Sequence, residues 1–215
     1  MSPRLVLATH NAGKLAELRA LIVPLVPGLR PEDVVSAGEL GASEPVEDGV
    51  TFAENALLKA RALARATGLP AVADDSGLCV DVLGGAPGVF SARWSGRHGD
   101  DAANLALLLA QLADVPAVHR RARFECAAAL VTPDGAGTVR TGVMPGVLTT
   151  APRGTGGFGY DPILEPDDQP ARALAPGAAR LTSAELTPAE KNAVSHRGHA
   201  LRALSEHVAA VLARG

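Results

Sequence analysis

Leu5-Val-Leu-Ala8, Thr9-His-Asn-Ala-Gly13 and Lys14-Leu-Ala-Glu-Leu-Arg-Ala-Leu-Ile22 follow one another at the start of the chain, and their order decides the fold class. The first piece is short, apolar and free of charge, as a buried parallel strand requires. The second is a polar loop. In the third, Leu15, Leu18, Leu21 and Ile22 recur at helical spacing, and Pro24 and Pro27 then stop the helix. Strand, loop and helix in that order open an α/β fold.

The same alternation continues outward. A short strand is expected at Asp33-Val-Val-Ser36. Thr51-Phe-Ala-Glu54 reads as a capping box that starts a helix running to about Ala66, with Gly68 and Pro70 as its stop. Ala71-Val-Ala-Asp74 and Leu78-Cys-Val-Asp-Val82 are two strand-like pieces joined by Asp75-Ser-Gly77, which has the composition of a turn. A glycine-rich loop at 84–96, a helix from Asp101 to Ala113 and a long strand from Arg121 to Val131 follow. Pro133-Asp-Gly135 signals a hairpin into Thr138 to Val143, so antiparallel pairing enters the sheet. A strand is expected at Tyr160 to Leu164 and a surface insertion near 165–180, where Pro, Ala, Asp and Arg dominate. Thr187-Pro-Ala-Glu190 is a second capping box, and a last helix carries Leu201, Leu204, Val208, Val211 and Leu212 on one face. The expected architecture is α/β with a mixed sheet, one bilobed domain over 1–215 with two lobes around a central cleft, which the resemblance set out below makes a nucleotide-binding one.

Composition narrows the function. The 215 residues are 47% hydrophobic and 20% charged, which excludes a disordered chain. Aromatics are 3% and the net charge is −3, too few rings and too little basic excess for a nucleic-acid binder. Cys79 and Cys126 are too few for a disulfide framework or a zinc site and are expected as buried free thiols. The N-terminal apolar run ends after four residues, so neither a signal peptide nor a membrane span is expected, and a cytoplasmic location follows by default.

Two glycine motifs fail on context. Gly13-Lys14 resembles the end of a Walker A loop, but Ala8 and Leu15 stand where Gly and Ser or Thr belong. Gly154-Thr-Gly-Gly-Phe-Gly159 matches G-x-G-x-x-G, yet neither a strand precedes it nor a helix follows. The first loop still has anion chemistry, because Asn11, Gly13 and Lys14 lie between a strand and a helix N-terminus, whose amides and dipole favour phosphate. A simple capped turn is the alternative. Asp74 and Asp75, adjacent at the end of a strand, are candidates for Mg²⁺, with Glu47 and Asp48 as loop candidates. Lys14, Lys59 and Lys191 are the only lysines, and each lies beside one of these motifs.

Six ordered segments now carry a resemblance that spans nearly the whole chain. They are Thr9-His-Asn-Ala-Gly-Lys14, Gly49-Val-Thr-Phe-Ala-Glu-Asn-Ala56 with Lys59-Ala-Arg61, Ala73-Asp-Asp-Ser-Gly-Leu78, Gly84 to Arg93, Gly154 to Pro162, and Glu190-Lys191 with Ser195-His-Arg-Gly198. Together they resemble the inosine triphosphate pyrophosphatases, also known as dITP/XTP pyrophosphatases. The resemblance implies a homodimer that hydrolyses dITP, ITP or XTP between the α- and β-phosphates with Mg²⁺. It implies that the loop Thr9, His10, Asn11, Ala12, Gly13 and Lys14, with Lys59, holds phosphates. It implies that Glu47, Asp75 and Asp74 serve the metal, that Asp75 is also the proton acceptor, and that Ser76 touches the substrate. The base is then expected against Phe158, Gly159, Tyr160 and Asp161, with Lys191, His196 and Arg197 around it. Arg197 and Lys191 only donate hydrogen bonds, which suits a purine O6 and disfavours the amino group of adenine. His10, Trp94 and the length of 165–180 depart from the usual pattern. The alternatives are a Maf-like pyrophosphatase for modified pyrimidine triphosphates and a non-catalytic nucleotide sensor.

Overall fold

The computed structural model describes residues 3–9, 12–175 and 177–214, with the backbone alone over 12–14. Its strands are β1 (Leu5–Leu7), β2 (Val34–Ser36), β3 (Ala71–Val80), β4 (Arg121–Val131), β5 (Gly137–Leu148) and β6 (Leu164–Pro166). They form one mixed sheet in the order β2-β1-β3-β4-β5-β6. β1 pairs parallel with both β2 and β3, whereas β5 and β6 pair antiparallel. β4 and β5 are sheet neighbours joined through the expected turn, where Thr132 N–H donates to the Ala136 carbonyl. The helices are α1 (Ala12–Ile22), α2 (Phe52–Thr67), α3 (Asp101–Gln111), α4 (Pro188–Val194) and α5 (His196–Leu212). No helix among the described residues is long and apolar enough to cross a membrane.

The chain divides into two compact units. The first comprises Met1–Asp75, Cys126–Gly142 and Arg197–Gly215. Within it, side-chain alternation along the strands sorts the core into two layers. Leu5, Leu7, Val72, Cys126, Ala128 and Leu130 pack with α1 and α5 through Leu15, Leu18, Leu201 and Leu204. Val6, Ala71, Ala73, Ala127 and Ala129 face the other way and pack with α2 through Ala56, Ala60 and Leu63. The many alanines on that side let α2 lie close to the sheet. The second unit comprises Ser76–Glu125 and Val143–His196 and has its own core, built on Leu78, Val80, Leu108, Phe124, Met144 and Ile163.

Two expectations need correction. Residues 71–80 form a single strand, so Asp75-Ser-Gly77 is not a turn. Its turn-like composition is overridden by the sheet, in which β3 lies between β1 and β4. The strand expected at Tyr160 to Leu164 lies later, because Pro162 favours a 3-10 turn over Asp161–Ile163 and β6 begins at Leu164. The start of the expected insertion is therefore part of the sheet, and beyond it Gln169 ties the segment down by bonds to Pro166 and Leu181.

α2 begins as its sequence requires. Thr51 Oγ1 accepts from Glu54 N–H at 3.1 Å, and the Glu54 carboxylate accepts from Thr51 N–H at 3.1 Å. Thr51→Ala removes one half of this box and is expected to lower stability by about 1 kcal/mol in urea titration. The thiols give a second expectation. Both cysteines are buried and free, and burial pushes the Cys79 thiol up to about 11 and raises Cys126 further still. The thiolate is the reactive form, so at pH 8 neither should react with a disulfide reagent until the protein is unfolded, when both titrate.

Candidate functional site

Strand parity settles where the two adjacent acids point. Ala71, Ala73 and Asp75 share the side of β3 that faces α2, while Val72 and Asp74 share the side that faces α1 and α5. On the α2 side, Asp75 meets two residues one helical turn apart. Asn55 Nδ2 donates to Asp75 Oδ2 at 3.0 Å, and Lys59 Nζ stands 3.7 Å from Asp75 Oδ1. The i, i+4 spacing of Asn55 and Lys59 puts both on the buried face of the helix. Lys59 Nζ also lies 3.0 Å from Glu47 Oε1, so one ammonium gathers a loop carboxylate and a strand carboxylate. A cavity of about 30 Å³, enough for a water molecule, is lined here by Ala8, Ala37, Glu47, Lys59 and Leu63.

The electrostatics follow from burial. Removal from water raises the pKa of Asp75 above its ordinary value, and the neighbouring Lys59 cation and the Asn55 bond only partly offset that rise. Burial works against the charge on Lys59 too, but Asp75, Asp74 and Glu47 outweigh it and hold its pKa above the usual value. An acid that binds its proton more readily beside a retained cation is suited to accepting one from a neighbouring water.

Asp74 has a different partner. Arg197 Nε lies 2.9 Å from Asp74 Oδ2, and Arg197 Nη1 lies 3.1 Å from Glu17 Oε1 on α1. Arg197 is 2% exposed. Burial disfavours its charge, and the two carboxylates more than restore it, so its pKa is raised. Asp74 thus pairs with Arg197 on the side of β3 away from α2, and Arg197 is held in the interior of the first unit. The sequence reading missed this because spacing alone does not say which face of a strand a distant arginine will reach.

The second unit gathers the base residues expected from the sequence. Asp161 is buried, and its Oδ2 accepts from Phe158 N–H at 2.8 Å and from Lys191 Nζ at 2.6 Å. Lys191 Nζ lies 5.3 Å from the centre of the Phe158 ring, which is half exposed. A Cβ at Gly157 would run into the Asp161 carboxylate, so the glycine run exists to let the loop close on that acid. Gly159 N–H donates to Asp101 Oδ2 at 2.9 Å, a partner with no signal in the sequence beyond its place at the start of α3. Tyr160 turns inward, its hydroxyl donating to the Ser91 carbonyl at 2.9 Å, and His196 stacks on Phe124 with ring centres 5.0 Å apart.

Of the first loop, Thr9 is buried just after β1. His10 and Asn11, and the side chains of Ala12, Gly13 and Lys14, lie outside the described residues. Ser76 follows Asp75 on β3 and is partly buried. Among the described residues no group of three His, Cys, Asp or Glu could hold a metal ion by itself. Glu47 and Asp75 remain a two-carboxylate set, which is the number Mg²⁺ commonly takes when phosphate oxygens complete its shell.

Asn55, which bonds Asp75, is given no role by the sequence reading. Its signal was a lone amide in an otherwise apolar helix face, one turn before Lys59.

A profile of the Ham1 family matches residues 5–207. A Streptomyces coelicolor protein named dITP/XTP pyrophosphatase is 63% identical over 202 residues, covering 94% of this chain and 94% of its own. A crystal structure described as a nucleoside-triphosphatase / dITP/XTP pyrophosphatase from Mycobacterium abscessus is 50% identical, covers 95% of this chain and 98% of that one, and superposes with a TM-score of 0.72. A HAM1 protein structure from Coxiella burnetii is 40% identical, covers 99% of this chain and 100% of that one, and has a TM-score of 0.77.

The buried charge cluster generates a prediction independent of any activity. Arg197→Met leaves two carboxylates without their shared cation and is expected to cost about 3–5 kcal/mol in chemical denaturation. Arg197→Lys should recover only part of it, because one ammonium cannot reproduce the fork that spans Asp74 and Glu17. Wild-type stability in both variants would mean that the cluster contributes nothing.

Proposed function

The chain belongs to the Ham1 family, and from that membership we propose that it is an enzyme that hydrolyses non-standard purine nucleoside triphosphates. Its substrates are dITP, ITP and XTP, and its products are the nucleoside monophosphate and pyrophosphate. The observation that carries the chemistry is the convergence of the Glu47 and Asp75 carboxylates on one buried cation, Lys59.

In-line attack of water on the α-phosphorus needs a proton acceptor and charge neutralisation more than a covalent nucleophile. Asp75 takes the proton of the attacking water, with Asn55 Nδ2 donating to its Oδ2 at 3.0 Å. Lys59 supplies positive charge beside it. Glu47 and Asp75 would hold Mg²⁺, which when bound neutralises phosphate charge and polarises the anhydride. The donor set fits that ion, because both groups are carboxylates and Mg²⁺ commonly takes one or two of these with phosphate oxygens completing its shell. The loop Thr9 to Lys14 binds the phosphates, with Lys14 and the amides at the start of α1 as donors.

For the base, Lys191 is the donor to O6, held in place by Asp161, and the exposed Phe158 ring is the stacking surface. A fixed donor at that position matches hypoxanthine and xanthine and meets the amino group of adenine with a second donor. This reading moves O6 recognition from Arg197 to Lys191. Gly159 and Tyr160 shape the loop, and Ser76 and His196 complete the substrate residues. We also assign a homodimer, on the resemblance set out above, and a cytoplasmic location.

The deciding measurement is pyrophosphate release from ITP, XTP, dITP, GTP and ATP with and without Mg²⁺. ITP and XTP should exceed ATP in kcat/KM by roughly 10²-fold, the scale set by a mismatched hydrogen-bonding group. Release of orthophosphate instead would overturn the reading. Asp75→Asn should lower kcat by at least about 10²-fold while the melting temperature is kept.

A further inference from the structure

Asn55 has no exposed surface and makes two hydrogen bonds that lead in opposite directions. Its Nδ2 donates to Asp75 Oδ2 at 3.0 Å, and its Oδ1 accepts from Gly49 N–H at 2.9 Å. The first partner is on β3. The second lies two residues after Glu47, on the acidic loop that precedes α2.

We propose that Asn55 is a positioning residue that sets the Glu47-bearing loop and the Asp75 carboxylate in register with each other. The proposal rests on the reading of Asp75 and Glu47 given above and extends it to a residue to which that reading gives no part. Chemistry allows few substitutes. The Gly49 amide demands an acceptor and the carboxylate demands a donor, and a primary amide presents the two on separate atoms of one short side chain, where a hydroxyl would have to serve both from a single oxygen. Both bonds also fix its flip, because the reverse orientation would set oxygen against carboxylate and NH₂ against N–H.

Neighbouring contacts make the loop dependent on this residue. The Glu54 carboxylate accepts from Val50 N–H and Thr51 N–H, which holds the end of the loop to the start of α2. Lys59 holds Glu47 at the other end. Between them the Gly49 backbone lies so close that an added Cβ would stand 2.6 Å from Asn55 Oδ1 and 2.8 Å from Glu54 Cβ. Of these three loop anchors, Asn55 and Lys59 also reach Asp75, and Asn55 does so through a fixed amide where Lys59 uses a flexible stem. The amide therefore sets the angle of the carboxylate, and the ammonium follows it.

The test uses Asn55→Leu, close in shape but with neither donor nor acceptor, and Asn55→Asp, which keeps the acceptor for Gly49 and loses the donor to Asp75. The first readout is amide exchange in protein free of metal and nucleotide. Asn55→Leu should speed exchange at Gly49 by about tenfold or more while Ala60 and Ala64 in α2 keep their protection, and Asn55→Asp should leave Gly49 protected. The second readout is kinetic. Both variants should lower kcat by about 10–10²-fold with KM changed little, the scale of a misplaced catalytic group.

The third readout separates positioning from stability. In an Asp75→Asn background, Asn55→Leu should cause almost no further loss of kcat, because residues that act as one unit are not additive. Gly49→Ala should produce the same kcat defect from the loop side. Unchanged kcat in both Asn55 variants, or an equal loss with and without Asp75, would overturn the proposal. If wild-type protein releases no pyrophosphate from any nucleotide, the functional reading fails. The exchange arm then decides the bridge alone, and a protected Gly49 in Asn55→Leu overturns it.

Discussion

Two carboxylates on successive residues of a buried strand repel each other unless each has its own cation, and the first unit is arranged around that constraint. Asp74 and Asp75 point to opposite sides of β3, and a cation waits on each side. Arg197 takes Asp74 and, through its fork, Glu17 as well, which ties α5 and α1 to the strand. Lys59 takes Asp75 and Glu47, which ties α2 and the acidic loop to the same strand. Desolvation of so many charges is costly, and the geometry offsets it by giving every acid a partner at hydrogen-bonding or ion-pair distance. The difference in partners follows from parity: Asp74 meets a guanidinium on one side of β3, and Asp75 meets an ammonium and an amide on the other.

Much of this was legible in the sequence where local signals and tertiary structure agree. The opening strand and helix, the capping box at Thr51, the long strand from Arg121 to Val131 and the Thr187 cap all occur where spacing and capping chemistry place them. Asp75-Ser-Gly77 was misread because its composition favours turns, whereas its position between two apolar runs lets the strand pass straight through. Local propensity loses there to the sheet, in which β3 lies between β1 and β4. The partner of Asp74 could not be read at all. Arg197 is 123 residues away in sequence, and only the packing of α5 against the α1 side of the sheet brings it there.

The second unit shows how a motif can match in letters and differ in physics. The glycines of 154–159 satisfy a dinucleotide pattern, but what they allow is close approach to other protein atoms. Gly156 donates to the Ala184 carbonyl at 3.0 Å, and Gly157 leaves room for the Asp161 carboxylate. That acid then gathers the Phe158 amide and the Lys191 ammonium. An aromatic ring and a cation are fixed beside each other by one buried carboxylate, in a chain with only four phenylalanines. The loop is rigid because of its glycines, since side chains there would hold it away from its anchor.

The choice of lysine at 59 and 191 follows from the same chemistry. Every other basic residue apart from Lys14 and the histidines is arginine, so an ammonium at these positions is a departure from the chain's habit. Arg197 sits where a planar fork can join two fixed acids permanently, and guanidinium suits that task. Lys59 faces Glu47 at 3.0 Å and Asp75 at 3.7 Å, an asymmetric pair that a single point charge on a flexible stem can hold or release. A fork locked to both carboxylates would fix their separation, whereas a point charge on a flexible stem lets the acidic loop and β3 adjust around it. The acids in turn hold the pKa of Lys59 above its ordinary value, so the charge that joins the loop to the strand is retained despite burial.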